Sequence, residues 1–158
     1  MPGRIGALLA GVWAGLMAGV GAIAASVLFA SLPRADAGRI AGRLFAIEAT
    51  VGLAAGAVLA IIALQVGRQR DESGAGRRFG SELMLALAAL LCLVLGYYAL
   101  QPMMEASRQG QGSVSFGVIH AASTGFFAVR LALVAALAWR FGAPSQEFMV
   151  PAATRAAR

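Results

Sequence analysis

Apolar residues in this chain gather into long blocks separated by short polar stretches. From Ile5 to Leu32 no ionisable residue interrupts the run. As a helix those roughly 28 residues would extend about 42 Å, more than the hydrocarbon core of about 30 Å. A second block runs from Leu44 to Val66, broken only by Glu48 and Gln65. A third, Leu83 to Leu100, is uninterrupted and ends at Gln101-Pro102, and a fourth, Phe116 to Trp139, contains His120 and Arg130. Each is long enough to span a bilayer. The pattern therefore predicts an all-α fold, an integral membrane four-helix bundle forming a single transmembrane domain over 1–140, with helices at about 5–32, 44–66, 83–100 and 116–139. Pro33–Arg43, Gly67–Glu82 and Ser107–Ser115 read as connections, and 141–158, with Pro144 and Pro151, as a loose tail. Arg4 and the later Ala35-Asp36-Ala37 have the outline of a signal peptide, but such apolar regions stop near about 15 residues, so the first block is expected to be a retained span.

Composition sharpens the class. The chain is 59% hydrophobic and 13% charged, against about 25% charged in soluble domains, and only 8% aromatic. The apolar excess thus comes from Ala, Leu, Val and Gly, the residues of closely packed membrane helices. The lone Cys92 cannot form an intramolecular disulfide, and the lone His120 cannot supply both axial ligands of a haem. The net charge of +6 rests on arginine alone and is dispersed, which argues against nucleic-acid binding. No phosphate loop, paired catalytic carboxylates or nucleophile elbow is present, so no enzyme is expected. His120, Cys92, Met84, Met103 and Met104 include soft ligands without convergent spacing, so neither metal nor cofactor is expected.

Four spans bring both termini to one side. Arg4, Arg68, Arg70, Arg77, Arg78, Arg140, Arg155 and Arg158 then oppose Arg34, Arg39, Arg43 and Arg108. The positive-inside rule favours cytoplasmic termini, in a bacterial inner membrane.

In lipid, helices associate through close packing, so small residues should mark the contacts. Gly11, Gly15 and Gly19 recur at spacing four on the first helix, and Gly52 and Gly56 do so on the second. These ridges suit either packing of helices one and two or a homodimer. Apart from the lipid bilayer, the partners expected are a second copy or another membrane protein.

Polar groups inside the blocks are the candidates for chemistry, because intramembrane ionisable residues are costly unless paired or protonated. Glu48 lies on the side of the Gly52–Gly56 ridge and is open to two readings, pairing with Arg39 or Arg43 at an interface or functioning within the bundle. Glu48 and His120 each stand four residues into helices entering from the same side, about 6 Å deep, which predicts a hydrogen-bonded, titratable pair. Ser26, Tyr97, Tyr98, Gln101, Ser123 and Thr124 fall at about that level and complete a polar cluster, read either as a structural knot or as a solute site. Arg130, about 15 Å deeper than His120, has three readings: a buried ion pair or carbonyl clamp, snorkelling past Trp139, or solute contact. Its reach falls several ångströms short of Glu48 if the helices begin where the apolar blocks do.

The run from Phe29 through Pro33, Arg34, Asp36, Gly38 and Arg43 to Phe45 resembles the segment joining the first two helices of transmembrane protein 205-like proteins. Phe116, His120 and Ser123 are similar to that family's positions at the start of its last helix; further along that helix, where members often have an amide, this chain has Phe127, with Arg130 nearby. The resemblance implies a four-helix membrane domain without an established activity. Residues and resemblance together lead to a non-enzymatic structural or accessory membrane subunit with an outer-side polar solute site. The alternative is a proton-coupled small-molecule transporter in which Glu48 titrates.

Overall fold

The computed structural model describes residues 2–72, 74 and 80–143. It contains four long helices: α1 (Pro2–Ser31), α2 (Arg34–Glu72), α3 (Ser81–Arg108) and α4 (Phe116–Gly142), each long and apolar enough to cross a membrane. The protein is a multi-pass, all-α membrane bundle. Sequential neighbours pack side by side and α4 returns against α1, closing a ring in which α2 faces α4 across the axis.

The core is built from Ala10, Trp13 and Met17 of α1, Leu59 and Ala63 of α2, Ala86 and Ala89 of α3, and Val134 and Leu137 of α4. Its logic is a large side chain seated on small ones. Trp13 lies where a Cβ on Gly52 would come within 3.0 Å of the indole nitrogen, and a Cβ on Gly56 would come within 2.5 Å of Leu90 and 3.3 Å of the Trp13 ring. The expected mutual fit of two glycine ridges is therefore corrected: Gly11 and Gly15 are exposed, and neither they nor Gly19 has another side chain or helix within 4 Å of the Cβ position. Helix α1 turns its Gly6–Ala10–Trp13–Met17 face inward, and Gly21 further along packs against Phe127 of α4, where a Cβ would come within 2.8 Å of the ring.

Helix boundaries also differ from the apolar blocks. Helix α2 begins ten residues before Leu44 and, at 39 residues, is about 58 Å long, so it overshoots the hydrocarbon core. Its buried positions continue without a break from Ala37 and Ala41 to Glu48, Ala49 and Gly52, the spacing of one helical face. Helix α3 passes straight through Pro102 because a π-helical stretch, Val94–Ala99, precedes it. The α-helical geometry restarts at Leu100, leaving Pro102 in a first turn, where proline is tolerated. A second π-helical stretch, Gly19–Ala24, interrupts α1 and advances the phase of everything after it, Ser26 included.

At the end formed by the start of α3 and the finish of α2 and α4, Arg70 Nη1 donates to Glu82 Oε1 at 2.9 Å, with Arg140 Nε at 3.9 Å. Gly67–Glu72 is helical and Glu82 is buried, so only part of the expected Gly67–Glu82 loop is a connection. Residues 73 and 75–79, with Arg77 and Arg78, and the expected tail from Pro144 onward, with Arg155 and Arg158, lie outside the described residues.

Candidate functional site

Glu48 and Arg130 are the two charged side chains buried at the middle of their helices, at 2% and 3% exposure. Arg130 Nη2 donates to Glu48 Oε2 at 2.5 Å, and the Trp13 indole N–H donates to Oε1 at 3.3 Å. The Arg130 guanidinium also lies 5.1 Å from the Phe127 ring centroid, in cation–π range. The pair links helices facing each other across the ring, and Trp13 brings in a third. The Arg130 Nε hydrogen has no acceptor among the described residues, so the neutralising contact is made through one arm of the guanidinium.

This arrangement replaces the expected Glu48–His120 pair, and the reason is geometric. Counted from the true helix starts, Glu48 is fourteen residues beyond Arg34 and Arg130 is fourteen beyond Phe116, so both lie about 21 Å along. Glu48 is level with Arg130, and His120 is level with Gly38. Nor does Glu48 pair with Arg39 or Arg43, which stand nine and five residues earlier on the same helix, offsets that do not bring side chains together; Arg39 instead bonds Asp36 one turn earlier at 2.8 Å.

The rest of the expected polar cluster divides. Tyr97, Gln101 and His120 line one cavity of about 1010 Å³ where α1 and α3 end and α2 and α4 begin. Ser123 turns instead to α3, its hydroxyl donating to the Gly96 carbonyl at 2.7 Å within the π-helical stretch. Thr124 is exposed and bonds the His120 carbonyl of its own helix at 2.9 Å. Tyr98 is exposed and rests edge-on against Tyr97, and Ser26 is exposed outside the cavity, carried away by the phase change in α1.

Four arginines, Arg34, Arg39, Arg43 and Arg108, line the same cavity, and no carboxylate does. Sequence reading gives Arg34 and Arg108 a topological role only, and Arg39 and Arg43 beyond that only a pairing with Glu48. They become site residues because the first three turns of α2, polar and outside the apolar block, are helical and stand beside the end of α3. Arg108 lies 4.9 Å over the Phe116 ring, and His120 stacks parallel to that ring at 5.6 Å. The cavity floor reaches Ala46 and does not include Glu48. Trp13 and Glu82 were likewise passed over; Trp13 left only the hint of a bulky ring in a helix rich in Gly and Ala.

A family model described as "Domain of unknown function (DUF4149)" matches residues 8–113. The matched stretch holds Trp13, Glu48 and the four cavity arginines, and ends before His120 and Arg130. No curated protein and no solved structure matches the chain.

Proposed function

The chain belongs to the DUF4149 family, whose description names no reaction, and from this premise we propose a non-enzymatic structural or accessory subunit of a bacterial inner membrane, with cytoplasmic termini. The cavity at the opposite, outer end binds a small polar solute. One observation carries this reading: the bundle's charged centre is internally neutralised and enclosed, whereas its polar cavity is open and lies apart from that centre. A titrating carboxylate needs water, and Glu48 is 2% exposed. The narrower likeness to transmembrane protein 205-like proteins belongs to the same reading and rests on Phe29–Phe45 with Phe116, His120 and Ser123.

The proton-coupled transporter is the second reading, favoured by the cavity floor at Ala46, two residues from Glu48. Proteoliposomes with an entrapped pH dye discriminate between the two. The accessory reading expects no proton flux above that of protein-free vesicles under an imposed gradient, while flux abolished by Glu48→Gln would replace it with the transporter. Orientation is tested by labelling a cysteine at Arg68 in a Cys92→Ala background. An impermeant reagent should leave it unmodified in intact cells and modify it in inverted vesicles.

A further inference from the structure

We propose that the helix-end cavity is an anion site whose ligand carries a phosphate group, an inference that rests on the solute-cavity reading above and names its ligand class. The lining contributes four guanidinium groups and no carboxylate, a formal +4 with His120 neutral. Two of these charges are compensated from the rim: Arg39 by Asp36 at 2.8 Å and Arg108 by Glu105 at 3.7 Å. Arg34 and Arg43 carry no ion pair among the described residues, so the cavity keeps an excess of two positive charges facing one space. Like charges held around one volume repel, and an anion within it removes the repulsion.

The geometry adds direction to the charge. Arg34 and Arg43 approach from α2 and Arg108 from α3, while His120 comes from α4 and Tyr97 and Gln101 offer hydrogen-bond donors from the α3 wall. The α2 and α4 N-termini open at this end, adding partial positive charge of the same sign. Arg108 is braced over Phe116, which restricts its motion. Planar guanidinium groups lining one cavity from α2 and α3 suit a tetrahedral oxyanion that accepts on several sides, as a phosphate does. A cation is repelled here, and a neutral solute leaves the charges uncompensated. Two sources supply the same chemistry: the headgroup of an anionic phospholipid entering from the bilayer, or a dissolved phosphate compound entering from water.

The test uses the full chain in phosphatidylcholine nanodiscs, with melting followed as inorganic phosphate replaces chloride at constant ionic strength. A parallel series replaces phosphatidylcholine stepwise with phosphatidylglycerol. A saturable rise in Tm is expected in one arm, the phosphate arm marking a dissolved ligand and the phosphatidylglycerol arm a lipid. Arg34→Gln/Arg43→Gln should weaken the apparent affinity about tenfold or more, as loss of a charge-assisted hydrogen bond implies. Gly42→Trp, placed where a Cβ meets open space on the cavity wall, should abolish the response with all arginines present. Melting without ligand serves as the folding control for both variants. A response unchanged in either variant, or no response in either arm, overturns the anion site. A shift with choline or glycerol that Gly42→Trp removes would retain the solute cavity and discard the anion, and insensitivity of every probe to Gly42→Trp would discard both.

Discussion

Arginine occupies two opposite settings in this bundle. At the centre, Arg130 is 3% exposed and meets a carboxylate and an aromatic face; at the helix ends, Arg34 and Arg43 line an open cavity without an acidic partner among the described residues. Burial raises the cost of an unpaired charge to several kcal/mol, so the central site exists only as a pair. Water and screening lower that cost at the helix ends, so unpaired arginines can persist there and remain available. The same side chain is structural where it is dry and receptive where it is wet.

The strongest way to break this contrast is to unpair the centre. Glu48→Gln should destabilise the protein in detergent by about 3–5 kcal/mol, measured as midpoint loss in chemical unfolding, because it strands the Arg130 charge. Replacing both partners together, Glu48→Met/Arg130→Met, should recover most of the loss; a double variant as unstable as the sum of the singles would show that the pair is not a unit. A smaller effect is expected at the notch. Gly56→Leu drives a side chain into Leu90 and Trp13 and should cost about 1–3 kcal/mol, whereas Gly15→Leu, facing open space, should stay within about 0.5 kcal/mol. Equal melting of these two variants would place the packing face elsewhere. Ser123→Ala removes one interhelical hydrogen bond to Gly96 and should cost about 0.6 kcal/mol, near the average for such bonds within membranes. Least of all, Arg34→Gln/Arg43→Gln should leave ligand-free melting within about 0.5 kcal/mol. A large loss there would make those arginines part of the scaffold and erase the distinction.

How much of this was legible follows from what hydropathy measures. Four apolar blocks reveal four spans because the bilayer imposes their length, and Glu48 and Arg130 stand out because charge is rare inside them. Their partnership was hidden by Pro33–Arg43, whose arginines and aspartate resemble a loop although Ala37 and Ala41 already carry the spacing-four face that continues to Gly52. A helix leaving the membrane loses its apolar signature without losing its hydrogen bonds. That offset of ten residues brought His120 level with Glu48 on paper and kept four arginines out of the site. The fates of Ser26 and Pro102 were hidden differently, since a π-helical stretch changes phase with no compositional mark in Gly19–Ala24 or Val94–Ala99. The outward Gly11–Gly15–Gly19 ridge shows that small residues permit close approach without demanding it.

The indole of Trp13 gives the central pair a natural optical reporter. The chain has two tryptophans, one held against the Glu48 carboxylate and the other, Trp139, 81% exposed on the bundle surface. With Trp139 changed to Phe, all remaining tryptophan emission originates beside the buried charges. Its wavelength then registers the local electric field, so any event that separates Glu48 from Arg130 becomes visible as a colour change in the unlabelled protein.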